Sequence, residues 1–181
     1  MHNKPNFAFH EGRIKYLAKN FVNLSDKEKK RVLSCRNHPD VKKWMFHNES
    51  ISEAEHLLFI EELKATEKED YWFVSMTAPI GMILGTTYIG VIYLDSQGGE
   101  GTYLGIYTNM FDATPHKGDI LMRILKKIAF KKMGLDCLNL EVYTENHVAV
   151  EFFKKHGFKP IKLTCKEDDT NIITMRLNHG S

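Results

Sequence analysis

The chain has 181 residues, of which 43% are hydrophobic and 27% charged, with a formal net charge of +2 at pH 7. This length and ordinary composition predict one globular domain over residues 1–181. The small net charge argues against a nucleic-acid partner, because nucleic-acid-binding domains concentrate a strong basic excess on one face. The three cysteines, Cys35, Cys137 and Cys165, lack CxxC spacing, which predicts reduced thiols in a cytoplasmic protein and no zinc site.

No membrane partner is expected either. Residues 1–16 carry charges throughout and lack the apolar core of a signal peptide. The longest apolar-rich run, 80–94, is interrupted by glycines and threonines and is too short to cross a bilayer as a helix.

The first third of the chain predicts one strand followed by two helices. Ser25 with Glu28, and Ser52 with Glu55, have capping-box spacing, in which the serine oxygen accepts from an orphan amide and the glutamate reaches back. Pro39 ends the first helix, because proline disfavours helical geometry at the residue before it. The strand is predicted over 14–24 and the helices over 25–37 and 52–65, with Leu57, Leu58, Phe59, Ile60 and Leu63 as the apolar stripe of the second helix.

Strand and helix patterns alternate in the second half. Strands are predicted over 71–76, 82–94 (one long or two short), 102–107, 138–143, 159–164 and 171–177, and helices over 120–133 and 146–156. A turn is expected around 96–101. The alternation after residue 102 predicts a parallel βαβ unit. The fold class is therefore α/β (α+β): a mixed, mostly antiparallel sheet of six or seven strands, about four helices and a central parallel βαβ unit.

The run from Leu138 to Phe158, LNLEVYTENHVAVEFFKKHGF, has the most specific pattern in the chain. It resembles the C-terminal motif of the GNAT superfamily of N-acetyltransferases, in which LxLEV is followed by NxxAxxFYxxxGF. The resemblance implies a GNAT-like fold and acetyl-CoA as co-substrate, with no metal. Phe153 departs from the pattern, because most relatives have a tyrosine there whose hydroxyl can protonate the departing thiolate. Phe153 can still pack beside the pantetheine arm, so water or another group is expected to supply that proton.

The same resemblance places the coenzyme A loop between Tyr107 and Leu121. Amides and the helix dipole at a helix N-terminus there would hold the pyrophosphate. Of the usual Gly-rich pattern only Gly118 remains, and Ala113 and His116 replace the usual Gln/Arg and first glycine. A plain turn and a solvated Lys117 stay open as alternatives. The cofactor-binding residues implied are Leu104, Gly105, Ile106, Tyr107, His116, Lys117, Gly118, Asp119, Ile120, Asn146, Phe152 and Phe153.

A narrower resemblance comes from RNHP at 36–39, WMF at 44–46, the 51–63 segment, YWFV at 71–74 and YLGIY at 103–107. These are similar to the GNAT branch that acetylates the 4-amino group of a UDP-linked 4-amino-4,6-dideoxy sugar (UDP-4-amino-4,6-dideoxy-N-acetyl-altrosamine) in pseudaminic acid biosynthesis, for flagellin glycosylation. The partner implied is thus a small-molecule amine on a UDP-sugar, and the enzyme could be a monomer or a homodimer. The substrate-binding residues implied are Arg36, Trp44, Met45, Phe46, His56, Phe59 and Tyr103.

Those residues also allow simpler interpretations. Met45, Phe46 and Phe59 are equally compatible with burial in a core, and Arg36 with the dipole at a helix C-terminus. Other acceptors stay open for a GNAT: a protein N-terminus, a polyamine or an aminoglycoside. A non-catalytic acyl-CoA-binding module is a further alternative.

The expected chemistry is direct attack of a neutral amine on the thioester carbonyl. The backbone amides of Leu104 and Ile106 are the predicted oxyanion donors. Glu141 is the candidate base, acting directly or through water, with burial expected to raise its pKa toward the working pH. A glutamate on the polar face of a half-buried strand is the alternative interpretation.

Overall fold

A mixed sheet forms the frame of the protein. The structure is a computed structural model that describes residues 4–80, 83–96, 101–165 and 171–180. The strands in these ranges are β1 (Phe7–Glu11), β2 (Ile14–Asn20), β3 (Glu69–Ile80), β4 (Ile83–Asp95), β5 (Tyr103–Thr108), β6 (Cys137–Tyr143), β7 (Lys159–Cys165) and β8 (Asn171–Asn178). Their order across the sheet is β1-β2-β3-β4-β5-β6-β8-β7. Neighbouring strands are antiparallel except β5 and β6, which are parallel.

Five α-helices lie within the described ranges. They are α1 (Asp26–Asn37), α2 (Pro39–Lys42), α3 (Glu53–Leu63), α4 (Lys117–Lys126) and α5 (His147–Lys155). A 3-10 turn, Phe21–Asn23, follows β2, and α4 continues as a π-helix over Lys127–Lys132. Both predicted capping boxes are present at the starts of α1 and α3. No helix in this part of the chain is long and apolar enough to cross a membrane.

Each face of the sheet is covered by its own helices. One face carries Ile92, Leu94 and Leu140, which form a core with Leu121 and Leu125 of α4 and with Phe153 of α5. The opposite face packs beneath α1, α3 and the 3-10 turn, where the buried residues include Phe21, Val32, Ile60, Leu63, Phe73 and Val91. Side chains that alternate along a central strand therefore enter two different cores.

The N-terminal strands differ from the prediction of one strand over 14–24. An additional strand, β1, folds back on β2 through a two-residue turn in which Gly12 has φ +59. β2 ends at Asn20, because the Asn20 side chain accepts from the Val22 N–H and starts the 3-10 turn. The sheet consequently has eight strands in the described ranges rather than six or seven.

The helices of the first third also differ in part from the prediction. Pro39 follows the end of α1 as expected, but it also occupies the first position of α2, which the sequence pattern did not predict. Leu57 and Leu58 of α3 are 39% and 61% exposed, so they do not belong to its buried side. That side is formed by His56, Ile60 and Leu63.

The predicted parallel βαβ unit is confirmed, with α4 between β5 and β6. α4 starts at Lys117, three residues before the predicted position, and Gly157 closes α5 with φ +89 as expected. The 82–94 pattern is one long strand, β4. Its predicted first residue, Met82, and residues 97–100 of the predicted turn lie outside the described residues.

Candidate active site

A cleft of about 590 Å³ lies between β5 and β6. The two strands pair at one register position, Tyr103 with Asn139, and separate beyond it, which leaves a split in the sheet. The segment after α2, the first turn of α4, and α5 complete the lining of the cleft. A larger groove of about 810 Å³, between α1 and β4, contains none of the predicted site residues. The cleft is therefore the candidate active site.

The edge of β5 that faces β6 brings backbone N–H groups to this cleft. The Asn139 N–H donates to the carbonyl of Thr102 at 2.8 Å. The backbone N–H and C=O groups of Thr102 therefore point toward β6. Because these groups alternate along a strand, those of Leu104 and Ile106 also point toward β6. Both predicted oxyanion donors thus lie on the expected edge. Ile106 is the better placed of the two, because it lies beyond the single bridge to β6.

The N-terminus of α4 has the geometry of an anion site. His116, the N-cap residue, has a left-handed backbone with φ +55 at the position where the family pattern has a glycine. The first N–H groups of a helix have no intrahelical partners, and the dipole there favours negative charge. Gly118 lines the cleft, and a Cβ on it would lie 3.1 Å from the Phe152 ring. A glycine at this position therefore lets α4 approach α5 closely.

Lys117 does not point into this anion site. Its ammonium group donates to the backbone carbonyls of Asn109 and Asp112 in the preceding loop. The expectation that Lys117 adds positive charge toward a phosphate is therefore not supported by the geometry. Ile120, another predicted cofactor residue, packs against the core rather than lining the cleft.

Asp119 joins α4 to α5 by polar contacts. Its carboxylate accepts from the Lys155 ammonium at 3.0 Å and lies 2.9 Å from His156 Nε2. The hydrogen bond from Lys155 holds the pKa of Asp119 below its ordinary value. His116 Nδ1 lies 3.5 Å from the same carboxylate. Nevertheless, no group of three or more His, Cys, Asp or Glu side chains in the described residues is arranged to hold a metal ion.

α5 brings the motif residues to the cleft as predicted. Asn146 caps the helix by accepting from the Ala149 N–H at 3.2 Å, and it also lines the cleft. Phe152 and Phe153 line the cleft next to each other, and Phe153 packs edge-on against Phe158 with ring centroids 5.7 Å apart. The structure therefore has an apolar ring at the position where the GNAT motif has a tyrosine.

The segment that follows α2 forms the opposite, aromatic wall. Trp44, Met45 and Phe46 all line the cleft, as the narrower resemblance implied. Trp44 and Phe46 are 39% and 48% exposed, so they are not core residues. Phe46 also meets Tyr143 of β6 edge-on at 5.3 Å between ring centroids. The contact connects this wall to the far side of the cleft.

Four predicted substrate residues do not line the cleft: Arg36, His56, Phe59 and Tyr103. His56 is buried between α3 and α1, where its Nε2 lies 3.1 Å from the Lys29 carbonyl and burial lowers its pKa. Phe59 packs against Tyr71 one layer behind the lining, with ring centroids 5.1 Å apart. Tyr103 sits at the closed end of the split, in register with Asn139. The structure therefore does not bring these side chains to the cleft lining with Trp44, Met45 and Phe46.

Arg36 has one nitrogen bound and one unpaired. Nη2 donates to the His47 carbonyl, whereas Nη1 is buried without a hydrogen-bond partner. Burial lowers the pKa of the guanidinium, and the phenols of Tyr107 and Tyr93, both of which line the cleft, act in the opposite direction. Arg36 itself does not line the cleft. Its guanidinium interacts with the lining residues Tyr107 and Tyr93 from behind the cleft surface. An unpaired buried guanidinium nitrogen is costly unless an acceptor binds it.

Tyr93 is a cleft residue that the sequence did not predict. Its partner across the sheet is Gly105, and a Cβ on Gly105 would lie 2.0 Å from Tyr93 Cε1 and Cζ. The ring therefore lies directly across the β5 backbone, in space that only a glycine leaves free. A glycine within the YLGIY strand was the available signal, since such glycines often mark a close approach.

Glu141 lies on the wall formed by β6, as expected, but it is exposed rather than buried. Leu140 and Val142, its neighbours along the strand, enter the core beneath α4, so Glu141 faces the same side of the sheet as Gly105 and Tyr93. The burial that was expected to raise its pKa is therefore not found. Solvent access is compatible with a base that acts through water.

The fold, with its split sheet, is that of solved N-acetyltransferases of the GNAT superfamily. The Campylobacter jejuni N-acetyltransferase PseH, solved with acetyl coenzyme A, superposes with a TM-score of 0.66 at 21% identity, covering 91% of this chain and 99% of that one. Spermidine N-acetyltransferase from Vibrio cholerae, solved with CoA and spermine, gives 0.75 at 14% identity, with coverages of 93% and 96%. At these identities the two structures establish the fold alone.

Sequence comparison identifies the family. Acetyltransferase PseH of Campylobacter jejuni subsp. jejuni serotype O:2 is 30% identical over 140 residues, covering 77% of this chain and 82% of that protein. The PseH of serotype O:23/36 is 28% identical over 143 residues with the same coverages. No protein-family model matches the chain. The chain belongs to the PseH family of acetyltransferases.

Proposed function

We propose that this protein transfers the acetyl group of acetyl-CoA to the 4-amino group of a UDP-linked 4-amino-4,6-dideoxy sugar, UDP-4-amino-4,6-dideoxy-N-acetyl-altrosamine, in pseudaminic acid biosynthesis. Its family makes it an acetyl-CoA-dependent N-acetyltransferase. One structural observation supports this acceptor. The motif that resembles the coenzyme-binding part of GNAT enzymes and the WMF segment of the amino-sugar branch line the same cleft from opposite sides. On this proposal the reaction is cytoplasmic and serves flagellin glycosylation.

The residues on the coenzyme side fit acetyl-CoA. The free edge of β5 offers hydrogen bonds to an extended amide-containing arm, in the manner of an added strand. The first turn of α4 would hold the pyrophosphate through backbone N–H groups, and Gly118 lets this turn lie close to the Phe152 ring of α5. Phe152 and Phe153 give the arm an apolar side. Acetyl-CoA bound in this way presents its thioester to the Ile106 N–H.

The residues on the acceptor side fit a nucleotide sugar. Trp44, Met45 and Phe46 provide an apolar wall that can cover a sugar ring or a base, as small-molecule sites require. Nη1 of Arg36 is buried behind the cleft lining without a hydrogen-bond partner, and a diphosphate that contacts it would supply an anionic acceptor. Lys43 also lines the cleft, where its ammonium pairs with the Asp40 carboxylate at 2.8 Å. The acceptor side thus combines one aromatic wall with the Arg36 guanidinium.

The mechanism assigns each step to a group of this chain. Glu141, through a water molecule, accepts the proton that the attacking amine loses. The Ile106 N–H stabilises the negative charge that develops on the carbonyl oxygen. The aromatic wall and Arg36 hold the acceptor so that its amine meets the carbonyl carbon, which supplies rate through orientation.

The test is a coenzyme A release assay with the purified protein and four acceptors offered separately. These are the UDP-4-amino-4,6-dideoxy sugar, spermidine, an aminoglycoside and a peptide with a free N-terminus. We expect turnover of the UDP-sugar at a kcat/KM at least about tenfold above the others. Turnover of spermidine or the peptide alone would overturn the acceptor while leaving the enzyme class intact. Binding of acetyl-CoA in a calorimeter without turnover of any amine would support a non-catalytic acyl-CoA-binding module instead.

A further inference from the structure

We propose that Tyr93 is the catalytic acid that protonates the departing thiolate, a role that Phe153 cannot fill. The inference rests on the proposed function, because it assigns a step of that same acetyl transfer. It does not depend on which amine is the acceptor.

The position of the Tyr93 hydroxyl is fixed by its neighbour across the sheet. A Cβ on Gly105 would lie 2.3 Å from the hydroxyl oxygen, which places that oxygen within about 4 Å of the Gly105 Cα. Gly105 lies between Leu104 and Ile106, whose N–H groups point to the split. Because the ring starts on β4 and crosses β5, its hydroxyl end is directed toward the opening between β5 and β6.

The ring is held in place from behind. It stacks on Tyr71, with ring centroids 4.7 Å apart and an interplanar angle of 19°. Tyr71 in turn packs against Phe59 and Phe21. By contrast, the hydroxyl of Tyr93 makes no hydrogen bond to any of the described residues. A rigid ring with an uncommitted hydroxyl at the cleft is what a proton donor requires.

The surroundings of Tyr93 favour the protonated form of its phenol. Burial raises the pKa of Tyr93, Asp95 and Glu141 raise it further, and Arg36 opposes them. The hydroxyl is therefore protonated at neutral pH. When it gives up its proton, the charge of the Arg36 guanidinium, which lowers the pKa of Tyr93, stabilises the resulting phenolate.

The proton balance closes with Glu141. The amine nitrogen bonds to the carbonyl carbon and gives one proton through water to Glu141. The carbon–sulfur bond then breaks, the sulfur keeps the electron pair and takes the Tyr93 hydroxyl proton. The proton on Glu141 returns through water to the Tyr93 phenolate. The products are the acetamide and the free thiol, and both side chains are restored.

The other phenols that line the cleft are less suitably placed. Tyr107 is on the same face as Gly105, and its hydroxyl interacts with Cys35 and Arg36, which belong to α1. Burial raises its pKa strongly. Tyr143 lies on β6 and packs against Phe46. Of these three, Tyr93 is the one whose ring lies across the strand that carries the oxyanion donors.

The test compares Tyr93→Phe with Tyr71→Phe, the matched loss of a hydroxyl one ring deeper in the same stack. Phenylalanine keeps the packing over Gly105, so both variants should fold. We expect Tyr93→Phe to lower kcat about 100-fold with little change in the KM for acetyl-CoA. We expect Tyr71→Phe to stay within about twofold of wild type. Adding Phe153→Tyr to Tyr93→Phe should restore most of the activity, because it supplies a phenol from the other face.

A second measurement needs no acceptor. The thiol pKa of bound coenzyme A, followed by thiolate absorbance as the pH is raised, should be higher in Tyr93→Phe than in wild type. An unchanged thiol pKa, or a slow Tyr93→Phe that Phe153→Tyr fails to rescue, would overturn the role of Tyr93 as proton donor. Failure of wild type to acetylate any amine would instead overturn the proposed function, and the thiol titration would still test Tyr93.

Discussion

At the scale of single residues, His116 has a backbone conformation that its side chain disfavours. A residue with a Cβ pays about 1–2 kcal/mol in the left-handed region, whereas glycine does not. We therefore expect His116→Gly to be more stable than His116→Ala by about 1 kcal/mol in urea unfolding. Both variants lose the 3.5 Å contact with Asp119, so that contact cancels in the comparison. Equal stabilities would show that φ +55 is not retained in solution.

Glu141 is the residue whose role most needs a direct test. Glu141→Gln keeps the shape of the side chain but removes its capacity to accept a proton. We expect kcat/KM to fall by about 100-fold, because general base catalysis contributes about that much or more. Glu145→Gln, also exposed but in the turn after β6, is the control and should behave as wild type. Near wild-type kcat/KM for Glu141→Gln at every pH would exclude the role.

Single residues were predictable where a motif fixes their spacing. Asn146, Phe152 and Phe153 reach the cleft because their positions on α5 follow from the motif. Lys117 could not be placed in this way, since two loop carbonyls bind its ammonium group. Tyr93 was missed for a related reason. Its proximity to Gly105 depends on the register of β4 and β5, which a sequence pattern does not contain.

At the scale of secondary structure elements, Asp119 couples α4 to α5. Lys155 is the charged partner of Asp119, because burial lowers the pKa of His156 despite the nearby carboxylate and leaves that ring neutral at pH 7. The ion pair is partly exposed, so we expect Asp119→Asn to cost about 0.5–1 kcal/mol at pH 7. Lys154→Gln, which removes an exposed pair with Glu151 within α5, is the control and should cost less.

The pH dependence of this cost has a definite sign. The folded-state pKa of Asp119 lies below its ordinary value of 3.8, so the carboxylate stabilises the folded protein above that pH. The stabilisation is lost as the pH falls through the folded-state pKa. Unfolding curves of wild type and Asp119→Asn should therefore differ at pH 7 and converge in acid. A difference that stays constant down to pH 2 would mean that charge is not its cause.

Elements with their own local signals were predicted, and short elements were not. Capping boxes marked α1 and α3, and Gly157 marked the end of α5. Pro39 was an ambiguous signal, because proline both ends one helix and favours the first position of the next. α2 has only four residues, too few for a hydrophobic period. β1 depends on its pairing with β2, since its side chains are only half-buried on one face.

At the scale of the whole molecule, one backbone bridge joins two parts of the sheet, β1–β5 and β6–β8. The sequence predicted the parallel βαβ unit from the alternation of strand and helix, and the family motif implied a coenzyme there. The length over which β5 and β6 separate was not predictable from the sequence. It is set by where the two strands pair, which is at Tyr103 and Asn139 alone. A ligand that bridges the split should therefore stabilise the sheet as a whole.

Hydrogen exchange at individual amides of β5 tests how acetyl-CoA completes the sheet. The N–H groups of Gly105 and Tyr107 face β4 and are protected already in the free protein, whereas that of Ile106 faces the cleft. On saturation with acetyl-CoA we expect exchange at Ile106 to slow at least about tenfold, while Gly105 and Tyr107 change little. The two flanking amides are the internal control. If Ile106 exchanges equally fast in both states, the coenzyme does not pair with this edge. The Ile106 N–H would then have no part in stabilising the oxyanion.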